Sequence, residues 1–174
     1  MRVVMDRIYK IALWCAAGCI LAICTIVSAQ VSLNILARLG GQEWSYTLPS
    51  YADFAGYFLA AASFFALSPT LRAGVHIRVN LVVSRLGARS AWLAELTSLA
   101  IATAIAMYAT YYSAHLLYES WDYGDTSTGI IAIPLWIPQT AMVAGLALLS
   151  VAFVDTLLDS LRAKAAILTD TGAE

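Results

Sequence analysis

Four long apolar stretches divide the chain, at about Ile11–Leu36, Tyr51–Leu71, Trp92–Leu117 and Ile130–Leu158, with shorter polar segments between them. A hydrocarbon layer about 30 Å thick is crossed by about 20 mostly apolar helical residues, and each stretch meets that length. The first, third and fourth exceed it, which implies tilt or extension past the bilayer. Small residues recur four apart within the stretches, as in Gly18 and Ala22, Gly56 and Ala60, Ala62 and Ala66, Ala100 and Ala104, and Ala141 and Gly145. Such pairs let helix backbones approach closely where lipid provides no hydrophobic force between helices, although alanine-rich helices also produce them by chance. The pattern predicts an all-α integral membrane protein, a single four-helix domain over residues 1–174.

Composition agrees. The chain is 61% hydrophobic and 12% charged, against roughly 25% charged residues in a soluble domain. A water-soluble fold with that ratio would expose large apolar patches, so the solvent is lipid. The net charge of −1 does not point to nucleic acid or to an acidic substrate.

The distribution of charge predicts an orientation, because basic residues are retained on the cytoplasmic side. Arg2, Arg7 and Lys10 precede the first span, Arg72, Arg78, Arg85 and Arg89 lie between the second and third, and Arg162 and Lys164 follow the fourth. Arg38 alone falls on the other side. The segment from Tyr118 to Gly129 has no basic residue and carries Glu119, Asp122 and Asp125. Both termini and the middle loop are therefore expected in the cytoplasm. The basic start, the apolar run and Val27-Ser28-Ala29 also resemble a signal peptide with its cleavage site. The run continues through Val31, Leu33, Ile35 and Leu36, which favours an uncleaved first span.

Aromatic residues mark the span ends. Trp44, Trp121 and Trp136, with Tyr46, Tyr51, Tyr118 and Tyr123, crowd the outer side, while Trp14 and Trp92 sit near the inner side. Anchoring in the headgroup layer is the ordinary meaning of such a belt. Pro134 and Pro138 fall where the fourth span opens, at positions where a missing backbone donor costs least. The regular helix is expected to start near Pro138. The central loop, from Val75 to Leu86, places Val75, Val79, Val82 and Leu86 on one helical stripe and Arg78, Arg85 and Arg89 beside it. A short interfacial helix with snorkelling arginines is expected there.

Candidate chemistry is sparse. Cys15, Cys19 and Cys24 share one apolar run with no ligands beside them, and are expected as small buried hydrophobes. Ionisable groups inside a bilayer mark ion or proton paths by default, yet on the hydropathy boundaries none lies near the centre of a span. Asp53 begins the second span and Glu95 the third, both placed to complement a helix dipole. Asp155 and Asp159 lie where the dipole disfavours them, which predicts pairing with Arg162 or with an arginine of the central loop. Gln30 and Asn34 are one turn apart, positioned to bond across helices or to be solvated at the interface.

His76 and His115 are expected at opposite membrane faces and cannot share a haem. No nucleophile with its base, phosphate-cradling loop or metal-ligand cluster occurs, so neither enzymatic activity nor a cofactor is expected. A self-contained small transporter would be expected to use a mid-membrane acid, and a haem-bearing redox subunit facing histidines. The remaining reading is a membrane subunit that works by packing against a partner.

Three segments resemble one family. Asp53-Phe54-Ala55-Gly56-Tyr57-Phe58-Leu59, then Arg72-Ala73-Gly74-Val75-His76-Ile77-Arg78-Val79-Asn80-Leu81, then Ser127-Thr128-Gly129 through Ile133-Pro134-Leu135-Trp136-Ile137-Pro138-Gln139 to Gly145 are similar to the small membrane subunit of tripartite ATP-independent periplasmic (TRAP) transporters, the DctQ-like family. The match covers nearly the whole chain, and its most specific part is His76-Ile77-Arg78-Val79. It departs at Asn80, where the family often has Asp, at Ala66, where Gly is common, and at Asp53, a lone acid where Glu is usual.

The resemblance implies a small permease subunit in a bacterial or archaeal inner membrane. It would fix a large multi-span, sodium-coupled symport subunit in the bilayer, and its outer loops would help dock a periplasmic solute-binding protein. Asp53, His76, Arg78, Asn80, Pro134, Trp136, Pro138 and Gln139 match the family pattern, and with Glu95 they are the candidate contact or structural residues.

Overall fold

The computed structural model describes residues 2–40, 46–72 and 88–163. The expected interfacial helix, together with Trp44, His76, Arg78, Asn80 and Lys164, lies outside the described residues. Four helices are present among the described residues: α1 (Arg2–Gly40), α2 (Tyr51–Arg72), α3 (Ala88–Asp122) and α4 (Trp136–Ala163). All four are long and apolar enough to cross a membrane. No strand occurs among the described residues, only an isolated bridge between Thr126 and Pro134.

The apolar stretches become helices because lipid leaves the backbone no other partner than itself. Their lengths differ from the hydropathy boundaries. Helix α1 has 39 residues and α3 has 35, so at 1.5 Å per residue both exceed 50 Å and extend beyond a layer of about 30 Å. Helix α2, with 22 residues, is about 33 Å long and matches that layer. Two boundaries change. Ile130–Leu135 is not helical, and α4 begins at Trp136, two residues before Pro138. Helix α3 begins at Ala88 with no acid in its first turn, so Glu95 lies two turns inside and does not complement the dipole as expected.

In space the order is α1, α2, α4, α3, with α2 and α4 as the central pair. These two run parallel, since Phe64 meets Gly145 and Arg72 meets Asp155. A Cβ added to Gly145 would lie 2.6 Å from the backbone carbon and oxygen of Phe64. Of the glycines in the small-residue pairs, Gly145 therefore makes a close crossing, whereas Cβ atoms at Gly18 and Gly56 would meet nothing within 4 Å. Tyr9, Leu71 and Ala152 join α1, α2 and α4 in one buried cluster. Cys15 and Cys24 are exposed and Cys19 half-buried, so the cysteines do not occupy the interior expected for them.

Candidate functional site

The candidate residues within the described segments fall at two ends of the bundle. Asp53, Pro134, Trp136, Pro138 and Gln139 gather at one, the tryptophan end, and Glu95 lies toward the other, half-buried.

At the tryptophan end, a folded loop links α3 to α4. Gly124, with φ +67°, lets the chain leave α3 in the left-handed region that glycine tolerates. The amide of Leu135 donates to Asp125 O at 2.9 Å, and that of Ser127 to Ile133 O at 2.8 Å. The Ser127 hydroxyl accepts from the Ile133 amide at 2.9 Å. Pro134 sits in the bridge to Thr126, while Pro138 lies within the first turn of α4, where no intrahelical donor is missed.

This loop is pinned to the start of α2. Ser50 precedes the helix with φ 55° and accepts the Phe54 amide at its carbonyl, 3.1 Å away. Its hydroxyl accepts the Ile131 amide at 3.0 Å, which offsets a left-handed strain of roughly 1–2 kcal/mol. Asp53, in the first turn as expected, has its carboxylate against Gly129, where an added Cβ would overlap Oδ2. A glycine there gives the carboxylate its room.

Gln139 and Trp136 then fasten α4 to α3. Gln139 Nε2 donates to the Ser120 hydroxyl at 2.9 Å, and the Trp121 and Trp136 rings meet edge to face with centroids 4.8 Å apart. On the flank, Gln30 and Asn34 bond to each other within α1 at 2.9 Å and not across helices, and Gln30, 4% exposed, also accepts the Leu48 amide at 2.9 Å. The segment before α2 is thereby held to α1.

The opposite end carries a polar cluster not among the candidates. Arg72 donates to Asp155 Oδ2 at 2.7 Å, stands 3.9 Å from Asp6, and lies over the Tyr9 ring with its guanidinium carbon 5.2 Å from the centroid. Asp155 finds an arginine in Arg72, the last residue of α2, where Arg162 or an arginine of the central loop was expected. Trp92 donates to the Ser160 carbonyl at 3.2 Å, which fastens the start of α3 to the last turns of α4.

Helix α3 runs antiparallel to α4. Thr110 and Ser150 hydroxyls meet at 2.9 Å, and Ser120 meets Gln139 at the same distance. Between these contacts and beside Ser120, His115 and Glu119 lie with Nδ1 and Oε1 3.5 Å apart, both side chains about half exposed.

The fold is that of a four-helix integral membrane protein. Residues 23–163 match the family described as tripartite ATP-independent periplasmic transporters, DctQ component. The chain belongs to that family of transporter components. No curated protein and no solved structure matches it.

Proposed function

We propose that this chain is a small, non-catalytic membrane subunit that supports the large sodium-coupled subunit of a TRAP-type importer and helps dock a periplasmic solute-binding protein. In this reading it resides in a bacterial or archaeal inner membrane with both termini cytoplasmic. The family match over most of the chain carries the reading. The central pair supports it, because α2 and α4 are tied at three heights: through Ser50 to Ile131, at Phe64 and Gly145, and through Arg72 to Asp155. Such a pair resists sliding, as a support against a moving transport domain must. The acidic loop after α3, with Asp122 and Asp125 exposed, supplies negative charge at the tryptophan end for a basic patch on the binding protein.

The test is reconstitution. Co-expression should yield a stable complex with the large subunit, and liposomes should take up solute down a sodium gradient only when large subunit, small subunit and binding protein are all present. A self-contained transporter is the second reading, for which the half-exposed His115–Glu119 pair on α3 is the candidate polar site. Sodium- or proton-driven uptake by liposomes holding this chain alone would replace the first reading with the second.

A further inference from the structure

A cavity of about 310 Å³ opens between the start of α1 and the last turns of α4, within the range of roughly 300–1,000 Å³ that holds small ligands. Met5 closes it on the α1 side. Helix α4 supplies the rest of the wall, with Val151, Val154 and Leu158 apolar and Asp155, Asp159 and Arg162 charged. Two parts of that wall are held in place: Met5 packs on the buried cluster of Tyr9, Leu71 and Ala152, and Asp155 is bound by Arg72 at 2.7 Å. Val151 and Leu158 are 46% and 44% exposed, so the cavity is open along the surface of the helix.

Its depth follows from α2. That helix matches the hydrocarbon layer in length and ends at Arg72, so Arg72 and its partner Asp155 mark the boundary between hydrocarbon and headgroups. At 1.5 Å per residue, Val151 lies about 6 Å inside that boundary and Asp159 about 6 Å outside it, where the headgroup layer is roughly 5–8 Å deep. The Arg162 backbone lies about 10 Å outside. Helical side chains lean toward the N-terminus of their helix, which brings the guanidinium back toward Asp159, three residues earlier on the same face. The wall therefore passes from apolar to charged at the depth where a phospholipid does the same, and it sets both signs of charge side by side in the headgroup layer.

We propose that this cavity binds a phospholipid with a primary ammonium headgroup, phosphatidylethanolamine by chemical class. Arg162 takes the phosphate, Asp159 and Asp155 take the ammonium, and an acyl chain runs over Val151 and Val154. A carboxylate has about four acceptor positions, so Asp155 accepts from Arg72 and has capacity for a second donor. Charge selects among lipids. Two carboxylates beside one guanidinium repel a headgroup of net negative charge such as phosphatidylglycerol, and match one that carries both signs. A quaternary ammonium keeps the charge but has no N–H to donate, which places phosphatidylcholine below phosphatidylethanolamine. The site is independent of the role proposed above, because it is built from this chain alone.

The test uses the full chain in detergent, with the dioleoyl forms of phosphatidylethanolamine, phosphatidylcholine and phosphatidylglycerol added in equal amounts and native mass spectrometry to identify the lipid retained. The expected result is one phosphatidylethanolamine per chain in preference to the other two. Arg162→Gln and Asp159→Asn should each weaken its retention about tenfold, the loss of one charge-assisted hydrogen bond. Val151→Trp, which fills the apolar part of the cavity from an exposed position, should abolish it, and Arg38→Gln, at the far end of α1, should leave it unchanged. Thermal midpoints measured without lipid establish that each variant is folded. Preferential retention of phosphatidylglycerol, or of no lipid, overturns the proposal. Retention of phosphatidylethanolamine that none of the three cavity variants alters places the lipid elsewhere and overturns the site.

Discussion

Replacing Gly145 with alanine is the most demanding test of the central helix pair. The added methyl would lie 2.6 Å from Phe64 backbone atoms, where ordinary contact begins near 3.4 Å, so α2 and α4 must part by about 0.8 Å. Backbone cannot rotate away as a side chain would. Overpacking of this kind costs about 1–3 kcal/mol, and a gap of that width forfeits a quarter or more of the dispersion energy of each contact it opens. Alanine recovers up to about 1 kcal/mol of intrinsic helix preference over glycine. The net loss is about 1–2 kcal/mol, or roughly 2–8 °C in thermal midpoint for a domain of this size. Gly18→Ala and Gly56→Ala serve as internal controls, because their methyls meet nothing within 4 Å and only the helix preference changes. They should be neutral or stabilising by up to about 1 kcal/mol. Thermal unfolding of the three variants in one detergent decides the matter. A Gly145→Ala protein as stable as Gly18→Ala would refute the close crossing at Phe64.

Other substitutions probe the two ends. Arg72→Ala and Asp155→Ala should each destabilise by more than the roughly 1 kcal/mol of an exposed ion pair and less than the 3–5 kcal/mol of a fully buried one, since the side chains are 27% and 32% exposed. The double variant should be more stable than the sum of the single losses implies, and strict additivity in denaturant titrations would dismiss the pair. Gln139→Leu removes the bond to Ser120 but also the buried Gln139 Oε1, which has no partner. It should change stability by less than about 1 kcal/mol, whereas Ser120→Ala, which strands the amide as well, should cost about 1–3 kcal/mol. Equal effects of the two on thermal midpoint would count against this account.

The helices were legible because a bilayer imposes a length and a composition that four runs satisfy and no soluble element would. Their ends were not, since hydropathy fades where α1 and α3 continue into water or headgroups, and a helix there is held by neighbours and not by apolarity. The Ile130–Leu135 segment read as span because it is apolar, yet Ser127 and Asp125 bind its backbone into a loop. Asp155 carried a usable signal, a carboxylate at the wrong end of a dipole, and the structure supplies its arginine. Arg72 carried two signals in the sequence, its charge and its place in the family pattern, and neither named Asp155 as its partner.

The two flanks of the central pair bring these features together. Helix α1 leans on α2 through Tyr9 and Leu71 and turns leucine, isoleucine and tryptophan outward. Helix α3 leans on α4 through Thr110 and Gln139's partner Ser120, and turns phenols and a histidine–glutamate pair outward. The first face is apolar as lipid chains require, and the second carries hydroxyls and a carboxylate that lipid chains do not match. A self-contained helical transporter would keep such a pair within its own bundle, or close an oligomer around it. A support subunit has the opposite requirement: one flank must remain in the bilayer while the other holds its partner through contacts that lipid cannot replace. The asymmetry of α1 and α3 fits the support role proposed above.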